Sequence, residues 1–282
     1  MTRVFQIVFL SGVAFWLTGC KDSEADKPIW EHVKITDLAP FPSGKEPGSS
    51  LLKTINFTVY IFEIPAENIS TMDDAWPMLY VQPLQFNDYD AFCANLFLAG
   101  FGQIPIWNRV AELLRAADGI QGNTISLLLP DGQSNDIAVA GLAQEQTVFY
   151  ISKKVSMEGA TLGPGQFGLR IKAEKIPGSR GVCKVSVLPV FSPPRRSSIP
   201  LLAAREKSWE LLFTSVGFSL TMSPGDFVLL GPEKYDSGQI TLGSLFFSKP
   251  EGSLFFSRLE HKVPELKPAI RLFLLVCTGM SY

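Results

Sequence analysis

The spacing of apolar residues predicts the elements of the first part of the folded body. Between residues 54 and 64, apolar side chains alternate with more polar ones, the period of a half-buried strand. Residues 104–119 carry apolar side chains at helical spacing, and residues 89–99 are apolar behind an acidic start. A further strand is expected at 124–129. Residues 51–130 are therefore predicted to form a small α+β module of order β-α-α-β.

Beyond residue 130 the patterns typical of strands dominate. Residues 168–175 and 182–190 flank a Pro-Gly turn, which predicts a hairpin. The closing segment 270–278 is apolar at consecutive positions, as in a central strand that is covered on both faces. We therefore expect 131–282 to be a mostly antiparallel β domain, and the whole body to belong to the α+β class.

The N-terminus carries a short apolar run, Val4–Leu17, behind Arg3. This run has the length of a signal-peptide core and is too short for an ordinary spanning helix. It ends in Leu17, Thr18, Gly19 and Cys20. These four residues match a lipobox, and the N-terminus resembles that of a bacterial lipoprotein precursor. The resemblance implies that residues 1–19 are removed and that Cys20 carries lipid. The alternatives are an uncleaved anchor and an ordinary secretory signal with a chance cysteine.

Residues 20–50 are rich in charged residues, Pro, Gly and Ser, and no helical or strand period persists there. This composition predicts a flexible tether between the lipid and the folded body. Because Lys21 follows Cys20, the resemblance to lipoproteins favours the outer membrane, although the cell membrane stays open. The body would face the periplasm or the exterior. In the alternative interpretation, Trp30 and Phe41 make the segment a partner-binding arm.

A nine-residue segment occurs twice in succession near the C-terminus. Residues 243–251 and 252–260 agree at seven of nine positions, and the join reads Lys-Pro-Glu-Gly, a favourable turn. The pattern predicts one hairpin with a buried apolar face and a half-exposed pair, Phe246 and Phe255, on the other face. The pair could be part of a core hairpin, or it could contact a membrane or a partner subunit.

Charge and cysteine content exclude several classes of protein. With 25 Lys and Arg against 27 Asp and Glu, the chain lacks the basic excess of a nucleic-acid-binding protein. Two histidines and four cysteines are too few to favour a zinc or iron–sulfur site. Cys183 and Cys277 both lie in predicted strands and could form a disulfide if those strands are neighbours. Buried free thiols are the alternative.

Most of the common catalytic signatures are absent from the sequence. It contains no G-x-S-x-G, H-E-x-x-H or Walker A motif. Residues 163–168 fit G-x-G-x-x-G, but they lead into a predicted strand, whereas a dinucleotide site opens a helix. The acidic pairs Asp73/Asp74 and Asp88/Asp90 are expected to cap helices, with an acidic catalytic or metal site as the alternative. No catalytic, cofactor-binding or metal-binding residue is therefore predicted.

The C-terminal part carries a second resemblance. From residue 211 onwards, the order of strand, turn at 224–226, aromatic hairpin and apolar closing strand resembles the β domain of secretins, which form rings in the outer membrane. This implies a secretin-like subunit or an accessory factor of a secretion or pilus machine. A periplasmic enzyme with an unrecognised acidic site is a further alternative.

The leading expectation is a non-catalytic binding or scaffold lipoprotein of the cell envelope. Its expected partners are the membrane, through lipid on Cys20, and either an envelope protein or further copies of the chain. No nucleic-acid partner is expected.

Overall fold

The computed structural model describes residues 54–152, 156–194, 209–234, 241–256 and 264–281. The predicted signal peptide, lipobox and tether lie outside the described residues, and what was expected of them stays a prediction.

Strands make up most of the described fold. In chain order they are β1 (Thr54–Pro65), β2 (Gln85–Phe86), β3 (Phe97–Gly102), β4 (Ile120–Pro130), β5 (Ser134–Leu142), β6 (Gln146–Ser152), β7 (Ser156–Leu162), β8 (Gly165–Lys175), β9 (Cys183–Ser192), β10 (Leu211–Leu212), β11 (Phe218–Met222), β12 (Phe227–Pro232), β13 (Ser248–Phe255) and β14 (Glu265–Met280). The α-helices are α1 (Tyr89–Ala94), α2 (Ile104–Ala116) and α3 (Leu242–Phe247), and short 3-10 helices occupy Ala66–Asp74, Trp76–Met78 and Thr214–Val216.

The strands form two six-stranded sheets and one separate hairpin, and every strand pair is antiparallel. The first sheet has the order β3-β12-β14-β1-β4, and β13 also pairs with β14. The second has the order β2-β11-β9-β8-β5, and β10 also pairs with β9. Strands β6 and β7 pair with each other and with no other strand among the described residues. The fold is therefore mostly antiparallel β with a few short helices, which fits the α+β class.

One hydrophobic core joins the two large sheets. Ile55, Phe57 and Val59 of β1 are buried, as the period of two predicts, and they belong to the same cluster as Ile171 of β8 and Val185 of β9. Alternate residues of a strand point to opposite faces, so one face of each sheet supplies this cluster. The apolar segment 270–278 lies in β14 between β12 and β1, which confirms the prediction of a central strand.

The boundary predicted at residue 130 stays a prediction, but strand pairing crosses it. Strands β1, β3 and β4 precede that residue, whereas β12, β13 and β14 of the same sheet follow it. The helix expected over 104–119 is confirmed as α2. The helix expected over 89–99 is shorter than predicted, because α1 ends at Ala94 and β3 begins at Phe97.

Long-range contacts explain why α1 stops. The buried Asn95 amide donates to the Ala91 and Ile151 carbonyls at 2.7 and 2.8 Å, and its Oδ1 accepts from the Ile151 N–H. Leu96 then takes a positive φ of 66°, which turns the chain out of the helix. Phe97 is fully buried at the start of β3, which pairs with β12. Ile151 and strand β12 are distant in sequence from the end of α1, so the apolar run alone suggested a longer helix.

The predicted hairpin of the duplicated segment is wrong. The first copy supplies residues 243–247 of α3 and residues 248–251 of β13, and residues 252–255 of the second copy continue β13, which pairs with β14. Phe246 is 0% exposed in α3, and Phe255 is 6% exposed in β13, so neither forms the expected half-exposed contact pair. The cause is the cap of α3. The Thr241 hydroxyl accepts from the Ser244 N–H, and the Ser244 hydroxyl accepts from the Thr241 N–H.

Candidate functional site

The lipidation site predicted from the sequence, Cys20 with Leu17, Thr18 and Gly19, lies outside the described residues. The remaining predicted site residues can be placed. They fall in different parts of the body and do not converge on one site.

Cys183 and Cys277 lie side by side between the two large sheets. Cys183 is on β9 and Cys277 is on β14, both are 0% exposed, and the Cys277 thiol is within hydrogen-bonding reach of the Cys183 sulfur. This hydrogen bond, together with burial, raises the pKa of Cys277. Both residues are thiols in this structure. The disulfide stays a prediction.

The acidic residues flagged in the sequence do not form a metal site among the described residues. Asp88 is the N-cap of α1, and its carboxylate accepts from the Ala91 N–H at 3.0 Å, which confirms the capping interpretation. Asp73 and Asp74 end a 3-10 helix and are exposed. Within the described ranges no group of three or more His, Cys, Asp or Glu could hold a metal ion.

A charged cluster around Glu63 escaped the sequence analysis. Glu63 on β1 is buried, and its carboxylate accepts from Lys249 Nζ at 3.0 and 3.2 Å. It also accepts from the Ser253 hydroxyl, which in turn is 3.1 Å from Lys249 Nζ. Arg271, paired with Glu63 across β1 and β14, places its Nε 3.7 Å from the carboxylate. Two cations and one serine thus surround a single buried anion.

The environment keeps Glu63 ionised. Burial by itself would raise the pKa of this carboxyl. Hydrogen bonds from Ser253 and Lys249, together with the charges of Lys249 and Arg271, outweigh burial, and the net pKa lies below its ordinary value of 4.5. A lysine beside a serine can serve acyl transfer only as a neutral base. Lys249 is ion-paired with this carboxylate at 3.0 Å, so the arrangement suits a structural cluster that ties β1, β13 and β14 together.

A second charged group borders a groove on the body. Arg170 on β8 donates from Nε and Nη2 to the two carboxylate oxygens of Asp136 at 2.7 and 2.6 Å, and from Nη2 to Glu210 at 2.8 Å. These bonds raise the pKa of Arg170 and keep it charged. The groove beside it has a volume of about 680 Å³. Its lining residues are Asp136, Gly141, Leu142, Pro164, Gly165, Gln166, Ser192, Pro193, Pro194 and Glu210.

The groove can hold a small or extended ligand, but its charges are already paired. Arg170 satisfies both carboxylates, so the group carries one net negative charge and leaves no unpaired cation for an anionic ligand. The sequence signal for this site was weak, because its parts come from β5, β8 and the segments around Pro194 and Glu210. The sequence patterns of these segments do not indicate that they line one groove.

Comparison with known proteins assigns neither a family nor a function to the chain. No family model matches the chain, and no curated protein or solved structure is significantly similar to it. Within the described segments, the helices are too short or too polar to cross a membrane.

Proposed function

We propose that the chain is a lipid-anchored protein of the bacterial cell envelope and that its β body binds or scaffolds other envelope components without catalysing a reaction. The observation that carries this proposal is the lipobox, Leu17 to Cys20, directly behind a signal-length apolar run. Each buried CH₂ of an acyl chain contributes about 0.8 kcal/mol, so two or three chains anchor a protein stably on a membrane.

The tether and the body suit this role. Residues 20–50 separate the lipid from the folded part, and at about 3.3 Å per residue a stretched segment of this length reaches roughly 100 Å. Two charged clusters of the body are paired internally, one around Glu63 and one around Arg170. Such pairing supports a stable body that offers a groove to a partner.

Cell fractionation of the Cys20→Ser variant tests the anchor. We expect the native chain in the membrane fraction and the variant either soluble in the periplasm or retained as an uncleaved precursor. Cys93→Ser is the matched control, because Cys93 is only partly exposed in α1 and lies outside the lipobox. Equal membrane association of native chain and Cys20→Ser variant, with cleavage unchanged, would contradict the proposal.

A further inference from the structure

Strand β4 is an edge strand of the first sheet. It pairs with β1 along one side, from Thr54↔Pro130 to Glu63↔Ile120, and no strand of the described chain pairs with its other side. An edge of this kind exposes a row of backbone N–H and C=O groups that can pair with another chain.

The middle of this edge has free hydrogen-bonding capacity. The Thr124 N–H is capped by Asn123 Oδ1 at 2.8 Å, and the strand ends at Pro130. Between them, no backbone group of residues 125–129 has a hydrogen bond outside the β1 ladder to any described part of the chain. The open stretch is therefore five residues long, Ile-Ser-Leu-Leu-Leu, with Leu127 at its centre.

The composition of β4 does not protect this edge from pairing with another chain. Residues 120–130 contain no Asp, Glu, Lys or Arg, and their single proline is the last residue. Natural edge strands are usually blocked by charges, proline, bulges or covering segments. The single bulge of β4 lies near Gly122, before the open stretch, and Leu128 is 68% exposed on the outer face of the sheet.

The other long edges of the two sheets are protected. Tyr80 covers β3 through two backbone hydrogen bonds with Phe101, at 2.8 and 2.9 Å. Strand β5 carries the ion-paired Asp136 and a bulge at Val139, whose carbonyl accepts from Arg271 at 2.5 Å. Strand β13 includes a lysine, a proline and a glutamate in sequence. The open stretch of β4 is thus an exception within the same body.

We propose that β4 pairs antiparallel with β4 of a second copy of this chain, around a two-fold axis near Leu127. In that register Leu129 faces Ile125 of the second copy, and Leu128 faces Ser126. The core-facing side chains of the two sheets then continue each other, and the exposed Leu128 gains a neighbour. A two-fold interface is formed by the same patch on both copies, so a segment with no charge avoids like-charge repulsion when it meets itself. This inference goes beyond the proposed function and does not require lipid on Cys20.

Oligomeric state gives the first test. The oligomeric state of the full chain in detergent is measured by light scattering and sedimentation over a range of concentrations. Three proteins are compared: the native chain, Leu128→Lys and the control Leu212→Lys. Leu212 lies on β10 and is also exposed. The native chain and the control should be dimeric. Leu128→Lys should raise the dimer dissociation constant by about tenfold or more, since like charges near a shared axis repel. Circular dichroism should show that both variants fold.

Cross-linking locates the contact. Ser126→Cys, treated with a short bis-maleimide, should give a covalent dimer, and the control Ala138→Cys on β5 should not. Both positions are exposed, and both variants retain the native cysteines. The inference is overturned by a native chain that is monomeric at all concentrations, by a dimer that Leu128→Lys leaves unchanged, or by Ser126→Cys that links only to a different protein. The fractionation result for Cys20→Ser is independent of all these outcomes.

Discussion

The two copies of the duplicated segment share the sequence Gly-Ser-Leu-Phe-Phe-Ser but fold differently. The first copy, from Gly243, supplies most of α3, and the second, from Gly252, continues β13. A hexapeptide that combines Gly and Ser with Leu and two Phe has no strong intrinsic preference for helix or strand. The difference therefore teaches that flanking residues and long-range partners decide the structure here.

The flanking residues act through the helix cap. Thr241 and Ser244 exchange hydrogen bonds between side chain and backbone at 3.0 and 3.2 Å, which satisfies N–H groups at the start of α3. The position equivalent to Thr241 in the second copy is Pro250, which has no side-chain oxygen to cap a helix. Ser253, the equivalent of Ser244, instead donates to Glu63.

The conformations also decide which phenylalanines are buried. In α3 both Phe246 and Phe247 face the core, at 0 and 1% exposure. In the second copy Phe255 is buried, whereas Phe256, next to it, is 68% exposed. Neighbouring residues of an extended chain point to opposite sides, so only one of the two can reach the core.

The largest expected effect belongs to the first copy. The Phe246 ring packs 5.4 Å from that of Phe97 and 6.0 Å from that of Phe273. Phe246→Ala should lower the free energy of unfolding by about 3–5 kcal/mol, because truncating a buried aromatic side chain leaves a cavity. Urea denaturation measures this loss. A loss below that of Phe256→Ala would show that α3 does not pack as described.

Glu63→Gln should destabilise the protein by about 3 kcal/mol at neutral pH, since it leaves Lys249 and Arg271 without their anion. The folded pKa of Glu63 is lowered, so its contribution is present above the unfolded value of about 4.5 and is lost as the pH falls through the folded pKa. The stability difference between native and Glu63→Gln protein should therefore shrink below pH 4.5. A difference that is constant from pH 7 to pH 3 would contradict the ionised cluster.

The serines at equivalent positions should differ in importance. Ser253→Ala removes a hydrogen bond to a buried carboxylate and should cost about 2 kcal/mol, because bonds to charged groups are the stronger class. Ser244→Ala removes one half of a capping interaction and should cost about 1 kcal/mol. Chemical denaturation of the two variants measures the ratio. Equal losses would show that the two copies are not stabilised in different ways.

Thr241→Ala should cost about 1 kcal/mol through loss of the N-cap of α3. Thr241→Ser keeps the hydroxyl and should restore most of this loss. Thermal unfolding of the three proteins provides the comparison. If the serine variant is as unstable as the alanine variant, the cap does not determine the helix.

Phe256→Ala should have the smallest effect, within about 0.5 kcal/mol, because most of this side chain is already in water. It is the matched control for Phe246→Ala, since both residues are phenylalanines of the same repeat. Urea denaturation at neutral pH checks it. A loss of several kcal/mol would place Phe256 in a core or interface.

Periodicity was sufficient for the elements that carry a regular pattern over many residues. The alternation in β1, the helical spacing of α2 and the apolar run of β14 all predicted the observed structure. The spacing of apolar residues within one segment shows which face of that helix or strand is buried, so no knowledge of distant residues is needed.

Features that depend on distant partners could not be predicted in this way. The end of α1 is determined by Asn95, which bonds to Ile151, and the Glu63 cluster joins residues 186 and 190 positions apart. The repeat predicted a hairpin because the Lys-Pro-Glu-Gly sequence at its join is also favourable for a turn. For Cys183 and Cys277 the sequence left a disulfide and buried free thiols open, and the structure buries both side chains in one hydrophobic cluster.

The mass of the N-terminal peptide of the mature protein tests the proposal of a lipid-anchored envelope protein most directly. Proteolysis and mass spectrometry of the membrane fraction should find Cys20 as the first residue, with a mass increased by acyl chains on sulfur. Cells fed an alkyne fatty acid should label the native chain and leave the Cys20→Ser variant unlabelled. A mature chain that retains Met1, or an unmodified Cys20 in a membrane-bound chain, would contradict the anchor and the function built on it.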